Sequence, residues 1–424
     1  MTSTSPVVCI VDAYSTGAEL AKFFHARGWR TIHVQSTREI LPDFRAHFKA
    51  EDFAENYVPY STVGALGEII QWVRRREPQW VIAGAETGVR MAESLADALG
   101  LPGNPPQSSD CRRNKYAMHE ALKRAGVAHI EHCLASTRDE AVAWAAQQAE
   151  WPLVVKPVES GGSDSVIFCD NVREVEGSVL SLLGTTNRLG IKNKNVLLQQ
   201  RLRGQQFLVN AVSVNGNHFF IEIWRDDKVE IQGASLIADR EELLPFRGEE
   251  QETIFRYLRR VLDAVGIKDG PSHCELIVTN KGPVLVEVAA RLQGTIMHEA
   301  VIDAIGYSHV TATVDRITNP ANFSVRYADG YELSRNLYCV TLASDKAGVV
   351  ERNHCREKIA TLGTYYGMFH CPREGDRIEK TIDLFSNPGT IYLSGKDRSE
   401  VEADYKRIRS MEATGQLFDI VQAF

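Results

Sequence analysis

Ser272-His273-Cys274-Glu275-Leu276-Ile277-Val278-Thr279 runs through Asn280-Lys281-Gly282 into Pro283-Val284-Leu285-Val286-Glu287-Val288-Ala289-Ala290-Arg291. Two runs rich in aliphatic residues, divided by Asn and Gly, spell a β-hairpin. Asn280-Lys281-Gly282 fits a three-residue loop with glycine at the left-handed position. Pro283 opens the return strand, where its missing N–H is tolerated. A turn centred on Lys281 sets Glu275 directly opposite Glu287. Strand alternation then gives Leu276, Val278, Val284, Val286 and Val288 one apolar face, which must be core. His273, Glu275, Ile277, Leu285, Glu287, Ala289 and Arg291 share the other. Opposed carboxylates have Cβ atoms about 5 Å apart and repel. A divalent cation between them reverses the sign. Hard oxygen ligands suit Mg²⁺, which takes one or two carboxylates plus substrate phosphates. The plainer alternative is a half-exposed hairpin with solvated charges on its outer face.

Outward from the hairpin, residues from about 107 to 325 read as α+β with antiparallel strands. Asn215-Gly216 joins strands at 207–214 and 218–224, the strongest short hairpin signal. Helices are expected at 114–125 and 138–149, flanking a weak strand near 130–135, with further strands at 153–157 and 196–200. Upstream, Val7–Val11, Thr31–Val34 and Trp80–Gly84 are apolar runs alternating with helical patterns at 18–27, 63–76 and 88–99, which indicates a parallel α/β sheet. Gly17 has no G-x-G-x-x-G around it, so a dinucleotide fingerprint is missing. Leu101-Pro102-Gly103-Asn104-Pro105-Pro106 is a breaker cluster. The division expected is an N-terminal α/β domain over 1–106 and a central domain over 107–330, with a small lid at about 130–200. A C-terminal α/β piece over 331–424 follows, with strands near 337–343 and 390–394 and a helix over 398–411.

The chain has 424 residues, 48 Lys+Arg against 55 Asp+Glu, and a net charge of −7, so it is a poor general binder of nucleic acid. No apolar run approaches the roughly 18 residues of a membrane span, and the start lacks the features of a signal peptide. None of the eight cysteines sits at C-x-x-C spacing, and a reducing cytoplasm is the simplest compartment.

Further motifs fall in a recognisable order: Arg113-Asn114-Lys115, Val155-Lys156-Pro157, the Ser160-Gly161-Gly162-Ser163 loop, Gln199-Gln200 with Leu202, Gly204 and Gln206, His273-x-Glu275, and Glu287-x-x-x-Arg291 with Gly294. With them the chain resembles, over nearly its whole length, the ATP-grasp superfamily of carboxylate–amine ligases. It is most similar to the L-amino-acid ligase branch of bacilysin-type and dapdiamide-type synthases. The resemblance implies an ATP-grasp fold, with antiparallel sheets enclosing the nucleotide behind a Rossmann-like N-terminal domain. It implies ATP and Mg²⁺ as cofactors, two ions held by Glu275 and Glu287, with Mn²⁺ able to substitute. Lys115 and Lys156 would contact phosphate. The loop of Ser160, Gly161, Gly162 and Ser163 would close over it. Gln199, Gln200 and Leu202 would receive the adenine, and Gln206 the ribose. Gln200 and Gln206 depart from the usual glutamates, although an amide still accepts a hydroxyl hydrogen bond. Ala289 departs from an asparagine that serves many relatives as an extra metal ligand.

The activity implied is ADP-forming amide ligation through an acyl phosphate, with an amino acid or N-acylated amino acid as carboxylate and an L-amino acid as amine. The setting implied is peptide natural-product biosynthesis, as in antibiotic formation. Arg291 would face the acyl group, with Gly294 also on the substrate side and Thr295 a weaker pocket candidate. His273 either orients a substrate carboxylate or is a structural histidine. Glu86 either binds a substrate ammonium or caps the helix after it. Trp224 and Arg225 are weaker pocket candidates. The partners are small molecules, with a homodimer allowed and neither nucleic acid nor membrane implied. The rivals are an ATP-grasp carboxylase, a nucleotide-pathway ligase and a nucleotide-binding regulator without catalysis.

Overall fold

The computed structural model describes residues 5–60, 66–162, 164–230, 236–294, 296–384 and 386–421. Ser163 and Thr295 lie outside the described residues. Near the N-terminus, β1 (Val7–Val11), β2 (Arg30–Val34), β3 (Glu55–Tyr57) and β4 (Trp80–Ala83) form a parallel sheet in the order β3-β2-β1-β4. Every residue of β1 and β4 is buried, as parallel strands covered on both faces require. The helix Val89–Leu99 stops at Gly100, whose φ of 69° is a left-handed cap that glycine adopts without strain.

A second sheet takes β5 (His132–Ala135), β6 (Leu153–Pro157), β7 (Ile167–Cys169) and β8 (Val196–Gln200) in the antiparallel order β5-β8-β6-β7. The helices Arg138–Ala145 and Val172–Leu182 pack beneath it around a core that includes Leu153, Val155, Val175 and Leu198.

The largest sheet begins with β9 (Gln205–Val214), β10 (Asn217–Glu230), β11 (Leu236–Leu243), β12 (Gly270–Thr279) and β13 (Gly282–Ala289). Asn215 and Gly216, at φ 49° and 80°, make the two-residue turn between β9 and β10. Six further strands follow: β14 (Asn336–Thr341), β15 (Gly348–Asn353), β16 (Tyr365–Phe369), β17 (Arg377–Ile378), β18 (Thr390–Gly395) and β19 (Phe418–Val421). The large sheet runs β13-β12-β9-β10-β11-β14-β18-β16, while β17-β15-β19 form a small separate one. Part of the chain after 331 therefore continues the central sheet.

The decisive hairpin differs from expectation in its turn. Thr279 pairs with Gly282, so the loop is the two residues Asn280 and Lys281. That turn alone would misalign the glutamates by one residue. A bulge at Val286 restores the register, and Glu275 pairs directly with Glu287. One extra residue also exchanges faces beyond it. Leu285, expected on the polar face, is buried in the core, and Val286, expected in the core, borders the cleft described below.

Candidate active site

A cleft of ≈ 350 Å³ opens between the central sheet, the β5–β8 sheet and the ends of β1 and β4. Glu86, Lys115, Lys156, Ser160, Gly161, Gly162, Gln199, Gln200, Leu202, Gln206, His273, Glu275, Glu287, Arg291 and Gly294 all border it. Residues far apart in the chain thus meet in one place, and local structure explains how.

Asn114 caps the helix Lys115–Arg124 by accepting from Ala117 N–H, which fixes Lys115 in the first turn. Its ammonium donates to Ser160 O at 2.8 Å and to Glu287 Oε1 at 3.0 Å. Lys156 lies on the buried strand β6. Burial, and next the neighbouring Lys115, push its ammonium down to about 8, against the opposing pull of Glu287 and Glu275. Two lysines so close repel unless anions lie between them. Gly162 takes φ +67° in the loop that follows β6. Between the two sheets the walls are apolar, formed by Ile130, Val154, Phe168, Leu202, Ile277 and Val286. Gln199, 1% exposed, aims a buried Nε2 donor that has no partner among the described residues. A flat heteroaromatic base with ring acceptors fits that combination.

Glu275 and Glu287 face each other across β12 and β13. Burial acts to raise the Glu275 carboxyl. The adjacent His273 (3.7 Å) and Lys228, with Arg291, outweigh it and hold Glu275 well below the usual range. Gln206 Nε2 donates to Glu275 Oε2 at 3.3 Å, so this amide touches the carboxylate pair as well as the cleft. Among the described residues no group of three or more His, Cys, Asp or Glu is arranged to hold a metal unaided. Two carboxylates beside two lysines match the donor set of Mg²⁺, whose shell is commonly completed by phosphate and water.

His273 Nδ1 donates to Asn210 Oδ1 at 2.8 Å, which leaves Nε2 on the Glu275 side. The ring is thus both hydrogen-bonded in the structure and present in the cleft. Arg291 donates from Nε to Glu86 Oε2 at 2.8 Å. Glu86 Oε1 meets Arg113 Nη1 at 2.7 Å. Burial would raise Glu86, but Arg113, Arg291 and Lys115 prevail and keep it ionised below the usual range. It makes no capping hydrogen bond: Glu86 starts the short turn Glu86–Gly88, whose capping position is Ala85. Glu86 still lies in the first turn leading into the helix Val89–Leu99, and its carboxylate serves two arginines. Trp224 and Arg225 do not border the cleft: Trp224 is fully buried, donating to Glu222, and Arg225 pairs with Glu242 and Asp227.

Several cleft residues were not singled out as site candidates from sequence: Ser15, Thr16, Asp226, Lys228, Glu241 and Gln293. Arg113, quoted as part of a motif, joins the site through Glu86.

Residues 149–299 match the ATP-grasp domain family. The chain has an ATP-grasp fold. The chain is 29% identical over 411 residues to dapdiamide A synthase of Enterobacter agglomerans, covering 96% of each chain. It is 23% identical over 224 residues to an L-arginine-specific L-amino acid ligase of Bacillus subtilis, covering 50% of this chain and 51% of the relative. Its fold is similar to the crystal structure of an L-amino acid ligase from Bacillus licheniformis, with a TM-score of 0.77 at 18% identity over 100% of both chains.

Proposed function

We propose that the cleft joins a carboxylate to an amine, driven by cleavage of ATP to ADP and phosphate. The carboxylate is an amino acid or N-acylated amino acid, the amine belongs to an L-amino acid, and the product is a dipeptide-like amide of peptide natural-product biosynthesis. One observation carries this reading: Glu275 opposed to Glu287, two phosphate-facing lysines and Arg291 all converge on a cleft with an apolar base-sized wall. The relatedness to dapdiamide A synthase supports it.

The substrate carboxylate attacks the γ-phosphorus, the bond to ADP breaks, and an acyl phosphate forms. Glu275 and Glu287 would hold two Mg²⁺ ions, with Mn²⁺ able to substitute, which when bound would supply positive charge to the transferring phosphoryl group. Lys115, Lys156 and the Ser160–Gly162 loop neutralise the same group from the protein side. Gln199, Gln200 and Leu202 seat the adenine, with Gln206 toward the ribose. Amine attack on the acyl carbon then gives a tetrahedral oxyanion, which Arg291 stabilises before phosphate leaves. Glu86 sets the guanidinium, and His273 orients the carboxylate beside Glu275. We divide the chain functionally near 106 and 330, with residues of about 130–200 as the lid. We assign the protein to the cytoplasm, where free cysteines stay reduced, with a homodimer allowed.

A matrix of amino acids and N-acyl amino acids paired with L-amino acids, read by phosphate release and product mass, tests the reading. ADP, phosphate and an amide are expected. AMP with pyrophosphate refutes the acyl-phosphate route, because it marks an adenylate.

A further inference from the structure

A second pair of opposed carboxylates lies in the same cleft, and the ligation chemistry above does not use it. β10 and β11 pair antiparallel with Asp226 directly across from Glu241, which puts their Cβ atoms about 5 Å apart. Both border the cleft. Asp226 is 5% exposed, and its Oδ1 has no hydrogen-bond partner among the described residues. Its Oδ2 meets Lys228 Nζ at 3.5 Å. Glu241 Oε2 accepts from Gln293 Nε2 at 3.2 Å, and no ion pair reaches it among the described residues. Gln293 is itself fixed: Asn210 Nδ2 donates to its Oε1 at 2.7 Å and to Glu222 Oε2 at 2.8 Å. A buried network thus aims an amide at Glu241. Burial comes first, and the nearness of other carboxylates adds to it, in holding Asp226 and Glu241 above the usual carboxylate range.

Lys228 also acts on Glu275, so ionising both Asp226 and Glu241 leaves negative charge that it does not offset. That balance suits a monovalent cation. A divalent ion would face the Lys228 ammonium at close range. A primary ammonium has three N–H donors and no acceptor, and Asp226 Oδ1 and Glu241 offer acceptors on opposite strands. Arg291, two residues before Gln293, supplies the guanidinium that a carboxylate would meet. Anionic and cationic groups of the kind a zwitterion needs thus border one cleft.

We propose that Asp226 and Glu241, with Gln293 orienting Glu241, form the subsite that holds the primary ammonium of an amino-acid substrate. This rests on the ligase reading. The ammonium belongs either to the acyl donor or to the attacking amine, and the experiment separates the two.

The full-length protein is compared with Glu241→Gln and Asp226→Asn. Thermal unfolding is followed with Mg²⁺ and a non-hydrolysable ATP analogue, adding each L-amino acid or its N-acetyl form. At least one L-amino acid should raise Tm in the wild type, and its N-acetyl form should not. Both variants should lose that increment and keep the one from nucleotide, which also reports that they fold. In steady state, KM for that amino acid should rise at least about tenfold, the loss of one charged hydrogen bond, with KM for ATP nearly unchanged. If N-acetylated donors turn over and Glu241→Gln weakens only the amine, the ammonium is the acceptor's. If N-acetylated donors are rejected and the donor KM rises, it is the donor's. Unchanged amino-acid KM and Tm increments in both variants overturn the proposal. Fewer bound Mn²⁺ ions in Glu241→Gln, counted by electron paramagnetic resonance, overturn it in favour of a metal. Wild type that releases no ADP with any pair, yet shows the amino-acid increment lost in both variants, sinks the ligase reading and leaves the subsite standing.

Discussion

Arg291→Ala separates the acyl end of the cleft from the phosphate end. The wild-type guanidinium spends Nε on Glu86 and Nη1 on Leu292 O, both at 2.8 Å. Removing it does not strand Glu86, because Arg113 Nη1 stays at 2.7 Å from the other carboxylate oxygen. The fold should therefore lose about 1–2 kcal/mol, the scale of one charged hydrogen bond. Stripping a buried charge of its last partner would cost about 3–5 kcal/mol. Chemistry should suffer more. One missing oxyanion donor lowers the rate by about 10²–10³. Arg291→Lys should recover little, since a point charge lacks the planar fork that holds both Glu86 and an acyl oxygen. The assays are urea unfolding, affinity for Mg-ATP, and single-turnover amide formation for both variants. Mg-ATP affinity should be nearly normal. Lost nucleotide affinity with unchanged chemistry in the bound complex refutes the argument and moves Arg291 to the phosphates. Full activity in the alanine variant returns it to a purely structural partner of Glu86.

Glu287→Gln should abolish Mg²⁺-dependent turnover with little change in Tm, because the amide still accepts from Lys115 while the opposed-carboxylate repulsion disappears; near-normal turnover would show that the pair is not a metal site. Lys156, held near 8 by burial, is cationic below that pH and neutral above it, so affinity for an ATP analogue should hold at pH about 7 and weaken as pH rises past about 8, while lysine in the unfolded chain titrates near ~10.4. Between those values the unfolded chain binds the extra proton, so this residue's contribution makes the ligand-free fold more stable as pH rises; analogue affinity that stays flat through that window counts against a phosphate role. Glu93→Ala should cost about 3–5 kcal/mol in urea unfolding, since Arg112, fully buried, donates to Glu93 at 2.7 and 2.8 Å; a loss below about 1 kcal/mol, the scale of an exposed pair, would show that water reaches the arginine.

What the sequence disclosed follows from how local each signal is. Asn215-Gly216 specifies its turn through backbone preferences that two residues carry alone, and the turn forms where expected. Lys156 and the glycines after it are legible because one apolar strand ends in a cation and a flexible loop. The meeting of Lys115 with Glu287 is a contact across 172 positions, and no periodicity encodes it. Arg113 stood in a legible motif, but its role was not legible, since it depends on Glu86 arriving from the end of β4. Even the central pair was placed by two compensating errors, a turn one residue shorter than read and a bulge that restores the count. The bulge has no clear mark in Leu285-Val286, which are both aliphatic. Its consequence is chemical, since it turns Val286 into the cleft wall and keeps Glu287 opposite Glu275.

The same arithmetic explains why the second carboxylate pair escaped notice. Register can be counted from a turn only when the loop is short and its type is known. β12 and β13 meet that condition, so an opposed Glu275 and Glu287 can be read from sequence. β10 and β11 do not: the connection is longer, and the pairing slips between Asp227 and Lys228. No count from sequence places Asp226 across from Glu241. Yet the physical argument is identical in both cases, because like charges on neighbouring strands need a cation to be tolerated. The charges around each pair then divide their tasks. Glu275 and Glu287 lie beside lysines suited to phosphate and call for a divalent ion. Asp226 and Glu241 lie beside Lys228 and Gln293, retain uncompensated negative charge, and call for an ammonium. On the proposed reading one sheet carries two cation sites of different valence, one for the metal of ATP and one for the ammonium of an amino acid.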